Sequence, residues 1–310
     1  MKKRKGFLKA KKWAIVVITI LVLSQYLSGC FSFRMSKSEV EKYFAESDIK
    51  PKLSKYTLDH RTINYLDTEV DSLPMVIFLH GAPGSLSAFI HFFKDTSLQQ
   101  ASRIVSVDRP GYGYSNFGWS EKSLKEQSKL LSPILELNTH EQKPILVGHS
   151  LGGPVAARMA MDYPDLVGGI ILVAPSVDPE LEPEEWYRPI LYSPFARWIL
   201  PKSFRVTNDE IYFLKKELEA MLPLWETLKM PIIVIQGGAD KLVHPKNAEF
   251  VQNLATNTTV EIVFVDGMNH FVPWNNEKLI TDAVMKQLNS DHFINNLIVL
   301  DSVPTLKGTK

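Results

Sequence analysis

The chain has a single cysteine, Cys30, so no disulfide can form within it. It also lacks internal repeats and low-complexity stretches. With 45% hydrophobic and 22% charged residues, its composition is that of a globular protein and not of a disordered one. No group of His, Cys and carboxylates has the spacing of a metal site, so neither a metal nor an organic cofactor is expected. A basic footprint for nucleic acid is missing too. The formal charge is +1, but the first 29 positions hold seven basic residues and no acid. Setting those seven aside leaves 28 basic against 34 acidic residues, and the remainder is mildly acidic.

The N-terminal basic residues precede an apolar run from Trp13 to about Leu27, followed by small residues. That is the charge and hydrophobicity order of a secretory signal, with the basic end held on the cytoplasmic side. The run closes on Leu27-Ser28-Gly29-Cys30, which resembles the lipobox of bacterial lipoproteins. The resemblance implies a signal peptide over 1–29, cleavage before Cys30 and a diacylglycerol on its thiol. The alternative is an uncleaved signal anchor, although the run is short of the ~20 apolar residues of a full span. Either way the protein is expected to be exported and held at a membrane. Each buried lipid CH₂ contributes about 0.8 kcal/mol, and stable anchoring takes more than one chain, as a lipidated Cys30 would carry. Phe31 in place of Asp after Cys30 favours the outer membrane or cell surface.

Residues 30–55 are polar with scattered aromatics and are expected to be a tether. An early strand or hairpin is expected within 56–66. Short apolar runs then alternate with helical patterns: strands at 75–79, 103–107, 145–147, 169–173, 231–235 and 260–265, and helices near 121–137, 154–161, 246–254 and 276–288. Pro133 is expected to kink or break the first of these helices. Unbroken apolar strands alternating with helices predict an α/β fold whose mostly parallel central sheet is covered on both faces. The core is expected over 56–175 and 229–290. Residues 176–228 hold no strand-like run but many aromatics, among them Trp186, Tyr192, Phe195, Trp198 and Tyr212. They predict a helical insertion, a cap in which most aromatics pack inward and a few face a substrate. The tail 291–310 has no assigned role.

The candidate chemistry centres on Gly148-His149-Ser150-Leu151-Gly152. A Gly-x-Ser-x-Gly string between a buried strand and a helix fits a sharp turn that presents a strained Ser, with small neighbours allowing close approach. A Ser hydroxyl needs a base. Of eight His, His270 lies in the loop directly after the last expected strand, where the base belongs in the order Ser, acid, His, while His292 lies in the tail. Asp240, after the penultimate strand and a Gly turn, is the candidate that orients the imidazole. Asp178 is the second choice and Asp266 reads as a turn residue. Fixed amides must hold an oxyanion, and Leu151 and Ala82 are the candidate donors. His80 and His149 read as structural or pocket-lining.

Taken together, His80-Gly81-Ala82-Pro83-Gly84, Asp108-Arg109-Pro110-Gly111-Tyr112-Gly113, the Ser150 elbow and the Asp240 and His270 loops resemble the α/β-hydrolase superfamily over roughly residues 56–290. The resemblance implies the α/β-hydrolase fold with a single cap. It implies an acyl-enzyme mechanism in which Asp108 and Arg109 hold loops. Ser150 argues against dehalogenases and epoxide hydrolases, which use an Asp nucleophile. Leu151 and Ala82 depart from the pattern of prolyl aminopeptidases. The expected function is hydrolysis of an ester-like bond in a small acyl substrate. A peptidase, amidase or carbon–carbon bond hydrolase with the same triad, and a non-catalytic surface receptor on the same fold, stay open. So does the oligomeric state.

Overall fold

The computed structural model describes residues 31–301, with Thr19, Tyr26 and Gly29 ahead of them, and side chains as far as Asn289. Cys30 and nearly all of the signal-like segment therefore lie outside the described residues, as does the end of the tail. Among the described residues no helix is long and apolar enough to cross a membrane.

The first element is a helix, α1 (Lys37–Tyr43), inside the segment expected to be a tether. Ser36 and Glu39 close both ends of a capping box at its start. Its Val40 is buried, and so is Phe44 just beyond it, which packs edge-on against Phe93. The sparse apolar residues of this stretch thus belong to the core. A hairpin follows, β1 (Lys52–Leu58) and β2 (Arg61–Asp67). Its two-residue turn, Asp59 and His60, has both residues at positive φ, the hand that suits a twisted hairpin.

Beyond the hairpin come β3 (Met75–Leu79), the 3₁₀ helix Leu86–Lys94, α2 (Thr96–Ala101) and β4 (Arg103–Val107). The helix α3 (Leu124–Leu131) stops at Ser132, where Pro133 converts the chain to a 3₁₀ turn, as its missing amide requires. Then follow β5 (Ile145–His149), α4 (Gly152–Asp162) and β6 (Gly169–Val173). The stretch between β6 and β7 is helical: α5 (Arg188–Tyr192), α6 (Pro194–Ile199) and the 20-residue α7 (Lys202–Met221), with short 3₁₀ turns either side. The chain closes with β7 (Ile232–Gly237), α8 (Asn247–Leu254), β8 (Val260–Val265), α9 (Val272–Asn275) and α10 (Glu277–Asp301), which runs well past the expected 288.

The sheet order is β1-β2-β4-β3-β5-β6-β7-β8. Only the pairs β1–β2 and β2–β4 are antiparallel. Alternation along each strand feeds two core layers. Met75, Ile77 and Leu79 point into one, while Val76 and Phe78 point into the other. Both faces are covered, which is why β3 and β6 are unbroken apolar runs. The parallel strands all end at the same edge. The loops leaving β3, β5, β7 and β8 therefore meet there, and they are the loops that carry Ala82, Ser150, Asp240 and His270.

Candidate active site

The turn leaving β5 holds Ser150 at φ +53°, a left-handed conformation that L residues rarely adopt. The flanking glycines make it possible. A Cβ on Gly148 would lie 2.4 Å from the Gly152 carbonyl oxygen, and one on Gly152 would lie 2.2 Å from the Leu79 carbonyl oxygen. The backbone is pinned by the Ser150 amide, which donates to the Val173 carbonyl at 2.9 Å.

His270 follows β8, and its Nδ1 lies 2.8 Å from Asp240 Oδ2. The amides of Leu242 and Val243 donate to Oδ1 of the same carboxylate at 2.8 and 2.9 Å. Burial by itself would raise the Asp240 carboxyl. The hydrogen bonds from His270 and the two amides outweigh it and hold the group below its usual range. Asp240 is thus a carboxylate that can only accept. Nδ1 of His270 must carry a proton, so in the neutral imidazole Nε2 is the lone-pair acceptor. Asp178 serves elsewhere: it caps the 3₁₀ turn Pro179–Leu181 by accepting from the Glu180 amide.

Ser150 and His270 face one cavity of about 580 Å³. His80, Ala82 and His149 line it, and so do the aromatic residues Phe33, Phe271 and Trp274. None of the aromatics of 176–228 does so. The expectation that a few cap aromatics face the substrate gives way to walls from the N-terminal segment and the His270 loop. Sequence patterning could not show this, because Phe33 sits far from the motifs along the chain.

The oxyanion loop is built from buried polar groups. His80 Nε2 accepts from the Arg109 amide at 3.0 Å, so its proton is on Nδ1, which donates to the Gly81 carbonyl at 2.6 Å. Burial, reinforced by the Arg109 charge, pushes this imidazole well below its ordinary value and keeps it neutral. Arg109 Nε donates to the His80 carbonyl at 2.7 Å. Among the described residues the amides of Ala82 and Leu151 donate no hydrogen bond within the protein. Two donors near the hydroxyl are therefore available to a ligand.

Two contacts escaped the sequence reading. His149, next to the elbow Ser, donates from Nε2 to the His270 carbonyl at 3.0 Å and holds that loop. Burial first, then the neighbouring His270, pushes His149 down to about 3, so it stays neutral. Glu210, in the middle of α7, is fully enclosed and binds Arg109 through both oxygens at 2.8 and 3.1 Å. It also accepts from the Tyr112 hydroxyl at 2.7 Å and from Gln127 Nε2 at 2.9 Å. Arg109 was expected, with Asp108, to hold loops, and Tyr112 had no assigned role. What Arg109 and Tyr112 hold is a joint between the His80 loop and the helical insertion. Nothing along the chain marked Glu210 among its many acidic neighbours.

A strained Ser at a strand-to-helix turn, a His–Asp pair on later loops and two unbonded amides thus gather at one edge of a parallel sheet. A family model described as alpha/beta hydrolase fold matches residues 74–199. An esterase of Mycobacterium tuberculosis is 40% identical over 106 residues, covering 33% of each chain. The monoacylglycerol lipase ABHD6 of Rattus norvegicus is 25% identical over 265 residues, 71% of this chain and 77% of that one. The crystal structure of a membrane phospholipase A superposes with a TM-score of 0.60 at 16% identity, covering 92% of this chain and 98% of that one, a likeness of fold. Over residues 74–199, then, the chain is similar to the α/β hydrolases, and its mostly parallel eight-stranded sheet has their fold. The chain spans about a third of the length of the esterase it matches.

Proposed function

We propose that the protein hydrolyses an ester-like acyl bond by way of an acyl-enzyme on Ser150. The observation that carries this reading is the His270–Asp240 pair at 2.8 Å on the cavity that also presents Ser150. His270 Nε2 takes the Ser150 proton as Oγ attacks the carbonyl carbon. The Ala82 and Leu151 amides hold the oxyanion, and one such donor is worth ~2.7–4 kcal/mol of barrier. His270 returns the proton to the departing alcohol. It then takes a proton from water as the water oxygen attacks the acyl carbon, and gives that proton to Ser150 Oγ as the bond from Oγ to the acyl carbon breaks and the acid leaves. Asp240 stays ionised and stabilises the imidazolium. The apolar wall of Phe33, Phe271 and Trp274 suits the hydrocarbon part of an acyl group. The esterase and lipase names of the curated relatives favour the same bond. The signal-like segment and Cys30 support attachment to a membrane as an exported lipoprotein.

A fluorophosphonate probe tests the nucleophile, because it forms a covalent adduct only with an activated Ser. Labelling of the wild type and none of Ser150→Ala is expected. Equal labelling of both would remove Ser150 from the mechanism. A panel of p-nitrophenyl esters, aminoacyl amides and vinylogous diketones then separates ester hydrolysis from amide and carbon–carbon cleavage. Intensity-weighted mass spectrometry of the Cys30 peptide reports whether it carries acyl chains.

A further inference from the structure

The rim of the cavity and the helical insertion share an exposed aromatic and basic face. Phe31 and Phe33 are 39% and 44% exposed, and both rings pack on Phe204 of α7, at 5.4 and 6.2 Å between centroids. The Ser203 hydroxyl fastens the Phe31 carbonyl to α7, and the Ser85 hydroxyl fastens the Phe33 carbonyl to the loop after β3. Arg34 lies over the Tyr114 and Phe117 rings at 4.3 and 4.9 Å, and the Lys202 ammonium lies 5.8 Å from Phe117.

The insertion continues this chemistry. Residues 186–208 hold four cations (Arg188, Arg197, Lys202 and Arg205) and no acid. Arg188 pairs with Glu185 and Arg197 with Asp209, acids at the ends of the stretch. Asp209 also accepts from Ser120, and Arg205 donates to the Gly118 carbonyl at 2.8 Å. These bonds place α6 and the start of α7 beside the loop that carries Tyr114 and Phe117. On α6, Phe195 and Trp198 are 73% and 49% exposed. Exposed Trp and Phe flanked by Arg and Lys are side chains that settle at the headgroup level of an anionic bilayer.

We infer that this face docks on an anionic phospholipid bilayer and that the substrate is an acyl ester resident in that bilayer. The chain ahead of Phe31 supplies the reason for choosing a bilayer. Its apolar run and Cys30 end immediately before the fastened segment. Phe33 lines the cavity and stands three residues after Cys30, a reach of at most about 10 Å of extended chain. An anchor at residue 30 therefore holds the cavity rim at the membrane surface. An acyl chain can then pass from lipid to the Phe33 wall with little exposure to water, and the ester is cleaved by water as above. The substrate half of the inference rests on the acyl-hydrolase reading; the docking half does not.

The full-length protein reconstituted in vesicles of phosphatidylcholine with a minority of phosphatidylglycerol, part of the phosphatidylcholine brominated, tests both halves. Bromine quenches tryptophan in contact with lipid. Trp198→Phe is expected to reduce the absolute intensity lost to bromine and Trp225→Phe, a fully buried control, to leave that loss unchanged, with Trp13 giving the same background to all. Quenching that survives Trp198→Phe undiminished overturns the docking. In the second arm, the double variant Phe195→Ser/Trp198→Ser is expected to lose about tenfold or more of its rate on a long-chain acyl ester held in the vesicles, with its kcat/KM on a soluble short-chain ester unchanged. A parallel loss on both esters, or a loss on neither, overturns the inference. A wild type inactive on every ester removes the hydrolase reading and with it the substrate half, and the quenching arm still decides the docking.

Discussion

Glu210→Gln tests the joint between the insertion and the oxyanion loop. The substitution keeps the shape of the side chain and removes its charge. Arg109 is fully buried, and its other partners are the His80 and Gly81 carbonyls and the Gln127 side-chain oxygen. None of these carries a charge, so the guanidinium would be left enclosed without a counter-ion. Removing one partner of a buried ion pair costs ~3–5 kcal/mol, because the survivor stays desolvated. That is a large part of the ~5–15 kcal/mol that usually separates folded from unfolded domains. At ~2–4 °C per kcal/mol, the melting temperature should fall by roughly 10 °C. Activity should fall too, since Arg109 positions the carbonyls of His80 and Gly81 just ahead of the Ala82 amide. A shift of about 1 Å in such a group can cost on the order of 100-fold in rate. Urea unfolding and kcat/KM on a short-chain ester measure the two effects. If Glu210→Gln unfolds within about 1 kcal/mol of the wild type, the buried joint is not what holds the insertion to the core.

Ser150→Gly should abolish ester hydrolysis yet raise stability by about 1 kcal/mol in thermal melts, since glycine adopts the left-handed conformation without strain. Asp240→Asn should reduce kcat by about 10⁴-fold while leaving the fold intact by circular dichroism, because an amide donor facing Nδ1 favours the wrong tautomer of His270. Asp108 sits enclosed, and burial lifts its carboxyl to about 6 despite hydrogen bonds from the Leu86 and Tyr114 amides and Asn64. A carboxyl raised on folding binds more protons folded than unfolded, so its contribution is full below roughly pH 4 and is lost as pH rises through about 6. Asp108→Asn should flatten that part of the stability-against-pH curve, and an unchanged slope in urea melts across this range would show that Asp108 does not set it.

Much of the frame was legible along the chain because it depends on local pattern. A strand buried on both faces must be an apolar run, so Met75–Leu79 and Gly169–Val173 showed themselves. A helix cannot continue through Pro133, so its end was written in the residue. The Ser150 turn was visible because only glycines fit beside the Leu79 and Gly152 carbonyls. Order along the chain pointed to Asp240 and His270, since parallel strands deliver their loops to one edge. The helix α1 was read as tether, because one capping box and the apolar positions Val40 and Phe44 are too little periodicity to announce it.

What the sequence determined by itself was most of the strands, the sharp turn at Ser150 and the candidates for the reacting groups. Only the tertiary structure decided what surrounds them. It brought Phe33 to the cavity wall, His149 to the carbonyl of His270, 121 residues away, and Glu210 to Arg109, 101 residues away. Pattern along a chain reports the face an element buries, a matter of periodicity. Which distant side chain meets that face depends on how the layers pack, and no single stretch of sequence carries that information.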